Sequence, residues 1–228
     1  MNNIKVIAFD ADDTLWVNET YFRDAEKEFA KLLSAYETEN KIHQELYKKH
    51  IDNLKIYGYG IKGFVLSMVE TALELSNSKI NQKTINRILE IGKEMLEKPI
   101  DLLDGVEEVL QKLQGKYKII VATKGDLLDQ ERKLEKSGIL KYFHHTEVMS
   151  DKKEADYLKL IKHLDIYPSE LLMIGNSLKS DVLPVVKVGA SAIHVPFHTT
   201  WAHEKVNDSQ KADTYKTVSK IKDVLLFS

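Results

Sequence analysis

The sequence predicts an α/β protein: a doubly wound, mostly parallel sheet with a Rossmann-like core, interrupted near its start by an all-helical domain. Three observations carry that expectation. Short, β-branched apolar runs alternate with amphipathic segments from residue 99 onward, the rhythm of parallel strands joined by helices. Residues 18–98 show helical spacing and no convincing strand. The one strand that precedes them, within residues 1–17, ends abruptly in Asp10, Asp12 and Asp13. The expected division is therefore 1–17 with 99–228 as the core domain, and 18–98 as a helical domain.

The elements follow in order. Ile4 to Phe9 is a short apolar run, as in a strand buried on both faces. Phe22, Ala25, Phe29, Leu32 and Leu33 then recur at helical spacing, as do Leu46, His50, Leu54 and Tyr57. Phe64, Met68, Ala72 and Leu75 predict a third helix, and Ile85, Ile88, Leu89 and Leu96 a fourth. Tyr57-Gly58-Tyr59-Gly60 and Ser76-Asn77-Ser78 separate these helices, and Pro99 ends the last. Beyond Asp104-Gly105 comes a short helix with Val109, Leu110 and Leu113 on its apolar face. Further strands are expected at Tyr117–Ala122, Thr146–Met149, Leu171–Ile174 and Ser191–Val195. Helices between them end at Gly138 and Gly189, and a final short helix falls near Val218 to Leu226.

Composition narrows the function. The 228 residues carry 33 Lys and Arg against 35 Asp and Glu, a net charge of −2 that gives no long-range pull toward nucleic acid or anionic membrane. There is no Cys, hence no disulfide framework and no thiolate nucleophile or metal ligand. No apolar run approaches the roughly 20 residues that span a bilayer, and no signal-like segment opens the chain, so a soluble cytoplasmic protein is expected.

In a parallel sheet the carboxyl ends of the strands share one edge, where distant residues meet. The first strand delivers Asp10 and Asp12, two apart and therefore on one side of an extended backbone. The second is followed by Thr123 and Lys124, the third leads to Lys152, and the fourth to Asn176 with Asp181 on the next turn. Paired carboxylates repel unless a cation or a proton intervenes, and magnesium suits hard oxygen ligands. The set can hold a metal and a phosphoryl group, with an Asp available as nucleophile.

FDADDTL, VATKGD, SDKK and IGNSLKSD, in that order and each after an expected strand, resemble the four motifs of the haloacid dehalogenase superfamily, specifically its magnesium-dependent phosphatase branch. The helical domain falls where one class of that family carries its cap. The resemblance implies a hydrolase of small phosphomonoesters, monomeric or homodimeric, that works through an aspartyl phosphate. Asp10 is then the nucleophile and Asp12 the general acid and base. Thr123 and Lys152 hold the phosphoryl oxygens, and Asp10, the main-chain carbonyl of Asp12, Asn176 and Asp181 hold Mg²⁺. Asn176 departs from the family's acidic residue and brings no charge, which moves weight to Asp181 and implies weaker metal binding. Lys124, and Tyr59 and Lys62 beside the glycine-rich loop, are the expected substrate contacts.

Other readings stand beside these. Asp10 and Asp12 could cap a helix. Lys153 competes with Lys152, with placement on the helix favouring Lys152. Asp181 could pair with Lys179 or Lys187. Tyr57, Tyr59 and Lys62 could simply form a helix–helix joint. His194, His198 and His203 invite a zinc reading, but Pro196 breaks the segment and no carboxylate or Cys completes it. Competing functions are a 2-haloacid dehalogenase, which needs no metal, a phosphosugar mutase, and a protein that binds a phosphorylated ligand or a partner without turnover.

Overall fold

A computed structural model describes residues 3–206 and 215–227. In chain order its elements are β1 (Val6–Phe9), α1 (Glu19–Leu33), α2 (Glu39–Tyr57), α3 (Ile61–Leu75), α4 (Gln82–Glu97), α5 (Val106–Leu113), β2 (Lys118–Lys124), α6 (Leu127–Lys136), β3 (His145–Met149), α7 (Glu154–His163), β4 (Leu171–Gly175), α8 (Leu183–Lys187), β5 (Ser191–His194) and β6 (Lys216–Thr217). A 3₁₀ helix at Ile221–Phe227 stands where a short final helix was expected. Two units emerge: Met1–Glu19, Ile100–Lys124 and Gln130–Ser228 form the first, and Thr20–Pro99 with Gly125–Asp129 the second.

In the first unit the strands pair in the order β3-β2-β1-β4-β5-β6, every pair parallel. Side chains alternate across the sheet, as the period of two requires. Ile7, Phe9, Ile119, Val121, Leu172 and Ile174 pack on one face with Val109, Leu110 and Leu113 of α5. Val6, Ala8, Ile120, Ala122, Leu171 and Met173 pack on the other with Tyr157, Leu160 and Ile161 of α7. Burial on both faces explains why these strands read as unbroken apolar runs. The chain builds outward from β1 through β2 to β3, then returns to lay β4 on the other side of β1. The strand order reverses there, and the exits of β1 and β4 lie side by side at the place where open α/β sheets bind ligands.

Two boundaries differ from expectation in ways that matter. β2 runs on through Thr123 and Lys124, which pair with Val148 and Met149, so these residues are held by a strand rather than a loop. After β4 the chain enters a wide π-helical turn, Leu178–Val182, before α8. Pro184 accounts for it: proline has no N–H to return to the carbonyl four residues back. That carbonyl, on Ser180, accepts the Tyr157 hydroxyl instead at 2.9 Å. The two-residue β6 was not foreseen, being too short and too exposed to leave a pattern.

The second unit has its own core of Phe29, Leu33, Ile42, Leu46, Phe64, Met68, Ile88 and Ile91. Gly92 lets two helices approach closely, since a Cβ there would lie 2.5 Å from Val65 Cγ2. The buried side of α2 is rolled from the expected stripe: Asn53 is buried while Tyr57 is exposed. The Asn53 amide donates to Ser67 Oγ and to Glu70, at 3.1 and 3.0 Å. No helix among the described residues is long and apolar enough to cross a membrane.

Candidate active site

The exit of β1 is a tight turn in which the amides of Thr14, Leu15 and Trp16 point back at the Ala11 carbonyl. Asp13 adopts a left-handed φ of 61°. Its carboxylate accepts the amides of Asn18 and Glu19 at 2.9 and 3.0 Å, capping α1. The helix-capping role weighed for Asp10 and Asp12 thus falls to Asp13, which leaves the other two carboxylates for different partners.

Asp10 is buried. Its Oδ1 accepts Lys152 Nζ at 2.5 Å, and its Oδ2 lies 3.3 Å from the Thr14 hydroxyl. Burial, with the charge of Asp181 added, raises its pKa above the ordinary carboxylate range, and Lys152 works against both. Lys152 is 2 % exposed and also reaches Asp181 Oδ1 at 2.7 Å. Burial alone would lower its pKa, but the two carboxylates outweigh that and raise it, so it stays charged. Lys153 points outward, pairing with Asp151 at 2.8 Å. Lys179 and Lys187 bind the His203 carbonyl and Glu154, so neither is the partner of Asp181.

Asp12 is held differently. Oδ1 accepts Trp16 Nε1 at 2.8 Å and Lys133 Nζ at 2.9 Å, and Oδ2 accepts Gln130 Nε2 at 2.9 Å. Burial pushes its pKa up, but Lys133 and the three N–H donors more than cancel this and lower it. Adjacent along one strand exit, then, are a carboxylate whose proton affinity is raised and one whose affinity is lowered.

The exit of β4 requires Gly175, because a Cβ there would lie 2.3 Å from Asp181 Oδ2. That oxygen accepts the Ser177 amide at 2.9 Å, closing the turn. The Asn176 backbone amide donates to Thr14 Oγ1 at 3.0 Å, which ties the exits of β1 and β4 together. Its side-chain nitrogen fits toward Asp10 Oδ2, the Asp12 carbonyl and Thr14 Oγ1, at 3.1, 3.3 and 3.2 Å. An N–H donor thus sits between two oxygens of the kind a hard cation takes. With the Asn176 amide turned so that its oxygen replaces the N–H, the donor set of Asp10, the Asp12 carbonyl and Asn176 would fit magnesium in chemistry. Among the described residues no three His, Cys, Asp or Glu side chains cluster as a metal site. Asp181 is already spent on Lys152 and Ser177, so direct ligation by it would require those bonds to rearrange.

Thr123 is buried, and its hydroxyl reaches the next carbonyl, that of Lys124, at 3.2 Å. The pairing of Phe9 with Val121 places it at the same edge as Asp10. Lys124 donates to Glu204 at 2.7 Å and to Ser180 Oγ at 2.9 Å. In the second unit Lys62 is ion-paired with Asp126 at 2.9 Å, in the loop region that also holds Tyr59. His194 binds the Asn176 carbonyl at 3.0 Å, and His198 bonds to Thr199.

The sequence reading missed Gln130, Lys133 and Glu204. The first two lie on α6, whose sequence LLDQERKLEK has no apolar stripe. That lack was the available signal: Gln130 and Lys133 are buried there while Leu127 and Leu128 are exposed.

The parallel sheet thus brings an aspartate, a second carboxylate two residues on and a buried lysine to one edge. The chain belongs to the haloacid dehalogenase-like hydrolases, whose family model matches residues 4–189. It is similar to a haloacid dehalogenase-like family hydrolase from Xanthomonas campestris, with 37% identity over 97% of this chain and 88% of that one and a TM-score of 0.86. Two more distant structures share the fold. A predicted phosphoglycolate phosphatase from Haemophilus somnus is 17% identical over 100% and 99% of the two chains, with a TM-score of 0.63. The L-2-haloacid dehalogenase from Xanthobacter autotrophicus is 13% identical over 97% and 96%, also with a TM-score of 0.63. No curated protein matches the chain.

Proposed function

We propose that the chain is a magnesium-dependent phosphatase that hydrolyses small phosphorylated metabolites through an aspartyl phosphate on Asp10. The observation that carries this is Asp12, a dedicated second carboxylate gripped by Lys133, Gln130 and Trp16. Halide leaves without a proton, so displacing it needs no such group, whereas an alkoxide leaving group does.

In the first half-reaction an Asp10 oxygen attacks phosphorus while the bond to the leaving oxygen breaks, and Asp12, which must first take up a proton against the pull of Lys133, gives that oxygen the proton. In the second half, water attacks the phosphorus, the bond to Asp10 breaks, and Asp12 takes the water's proton. The grip of Lys133 and Gln130 favours the ionised form, which is the form the second half needs. Lys152 and the Thr123 hydroxyl oppose charge on the nonbridging oxygens. Asp10, the Asp12 carbonyl and Asn176, with Asp181 behind them, would hold Mg²⁺, which would supply charge neutralisation for the reacting groups.

A second reading keeps some support. Asn176 adds no charge, and Lys152 already balances Asp10, an arrangement that suits metal-free displacement of halide from a 2-haloacid. Phosphate release from p-nitrophenyl phosphate, with and without Mg²⁺, tests the proposal against chloride release from 2-chloropropionate. Metal-dependent phosphate release is expected. Chloride release without metal, and no phosphate, would overturn the phosphatase reading.

A further inference from the structure

Glu204 is a largely buried carboxylate that the proposed chemistry does not use. It lies in a 3₁₀ turn, Ala202–Glu204, that follows β5, and its side chain is 12% exposed. One oxygen accepts Lys124 Nζ at 2.7 Å, and the other accepts the hydroxyls of Ser177 and Ser180 at 2.5 and 2.6 Å. Every partner belongs to the site's own framework. Ser177 opens the turn that carries Asp181, Ser180 directly precedes Asp181 within it, and Lys124 follows Thr123. The Lys124 carbonyl also accepts Gln130 Nε2, the same group that holds Asp12. Asp151 faces Lys124 as well, but it is ion-paired with Lys153.

Three donors converging on one carboxylate make an anion site, and the chain fills it with its own side chain. Without Glu204, a lysine and two hydroxyls at the strand edge would face any anion carried by the substrate beyond its phosphoryl group. We propose that Glu204 is a specificity-determining residue: by occupying Lys124, Ser177 and Ser180 it keeps these three donors from a substrate anion, so the site selects substrates whose leaving group carries no second anionic group. The inference rests on the phosphatase reading and narrows its substrate class. It also reassigns Lys124, which confers specificity through Glu204 rather than by gripping substrate.

The test uses two matched probes, phenyl phosphate and 4-carboxyphenyl phosphate, which differ by one carboxylate. Wild type should favour the uncharged leaving group. Glu204→Gln keeps the size and hydrogen-bonding capacity but removes the charge, and it should shift the ratio of kcat/KM tenfold or more toward the carboxylated probe, mainly through KM. Adding Lys124→Met to that variant should abolish the shift. A purely structural role for Glu204 would depress both probes together and leave the ratio alone, and that result overturns the inference. So would a shift that persists in the double variant. If no form of the protein releases phosphate from either probe, the phosphatase reading fails. Calorimetric binding of the two probes to wild type and Glu204→Gln then decides the anion site on its own, with preference for the carboxylated probe expected only in the variant and equal preference in both forms contradicting it.

Discussion

The two units treat polar groups in opposite ways. In the first, charged side chains at the sheet edge are wholly or partly buried and face another charge: Lys152 faces Asp10 and Asp181, Lys133 faces Asp12, and Lys124 faces Glu204. Within residues 20–99 of the second, no Asp, Glu, Lys or Arg is buried, and hydroxyls and an amide carry the buried polar bonds. Ser67 and Thr71 return their hydroxyls to carbonyls one helical turn back at 2.8 Å, and Asn53 bonds to Ser67. The charges of those residues lie toward the surface, as in Arg87 with Glu28 and Glu94. Burying an ion pair is seldom the most stable choice for a core, since desolvation offsets the attraction. A sheet edge that draws several inward and a set of helices over residues 20–99 whose ion pairs stay solvent-facing therefore handle charge differently. Helix packing accounts for the hydroxyl and amide bonds of the second, while the first keeps charge partly desolvated at one sheet edge.

The contrast can be broken in several places. The largest effect should come from Asp10→Asn, which removes the attacking oxygen. Phosphate release should fall on the order of 10³-fold or more while the folded state persists, measured by steady-state turnover beside a melting curve. Lys152→Met leaves Asp10 and Asp181 buried without their cation. Denaturant unfolding at neutral pH should show a loss of about 3–5 kcal/mol. Because burial and Asp181 raise the Asp10 pKa, that loss should shrink as the pH falls and Asp10 takes up a proton.

Glu204 gives a smaller, pH-resolved effect. Burial would raise its pKa, but Lys124 and the two serines lower it from 4.5 to about 2. A carboxylate depressed on folding stabilises the protein above its unfolded pKa, and that contribution fades as the pH drops from about 4.5 toward about 2. Wild type should therefore lose on the order of 3 kcal/mol more than Glu204→Gln across that window. Equal slopes for the two proteins would remove the Lys124–Glu204 pair from the account. Arg87→Met in the second unit should do least. Its partners are solvent-facing, and unfolding should change by no more than about 1 kcal/mol.

Asn176 sharpens the comparison from the metal side. Asn176→Asp replaces an N–H donor lying between two oxygens with a carboxylate. Calorimetry with Mg²⁺ alone should show about tenfold tighter binding or more, and an unchanged affinity would place the ion away from this residue.

Much of the first unit was legible in the sequence because burial on both faces leaves no alternation to misread, and Ile119 to Ala122 or Leu171 to Ile174 could hardly be anything but strands. Residues on strand exits were legible for the same reason, since topology fixes where a strand ends. Lys133, Gln130 and Glu204 were not. A polar residue on a helix or in a loop looks solvated until something charged is found opposite it, and here the opposite groups are over 70 positions away. The roll of α2 was hidden because a helix tolerates a buried Asn53 once Ser67 and Glu70 answer it. The π-helical turn after β4 was written in Pro184, but its outlet, the Tyr157 hydroxyl, lies in a different helix.

The account depends most on Asp10 receiving the phosphoryl group. Acid-quenching the protein during turnover of phenyl phosphate with Mg²⁺, then weighing its proteolytic peptides, tests this directly. The peptide that contains Asp10 should gain the mass of one phosphoryl group, and Asp10→Asn should show neither adduct nor turnover. Full phosphate release by Asp10→Asn, with no adduct on that peptide in the wild type, would contradict it.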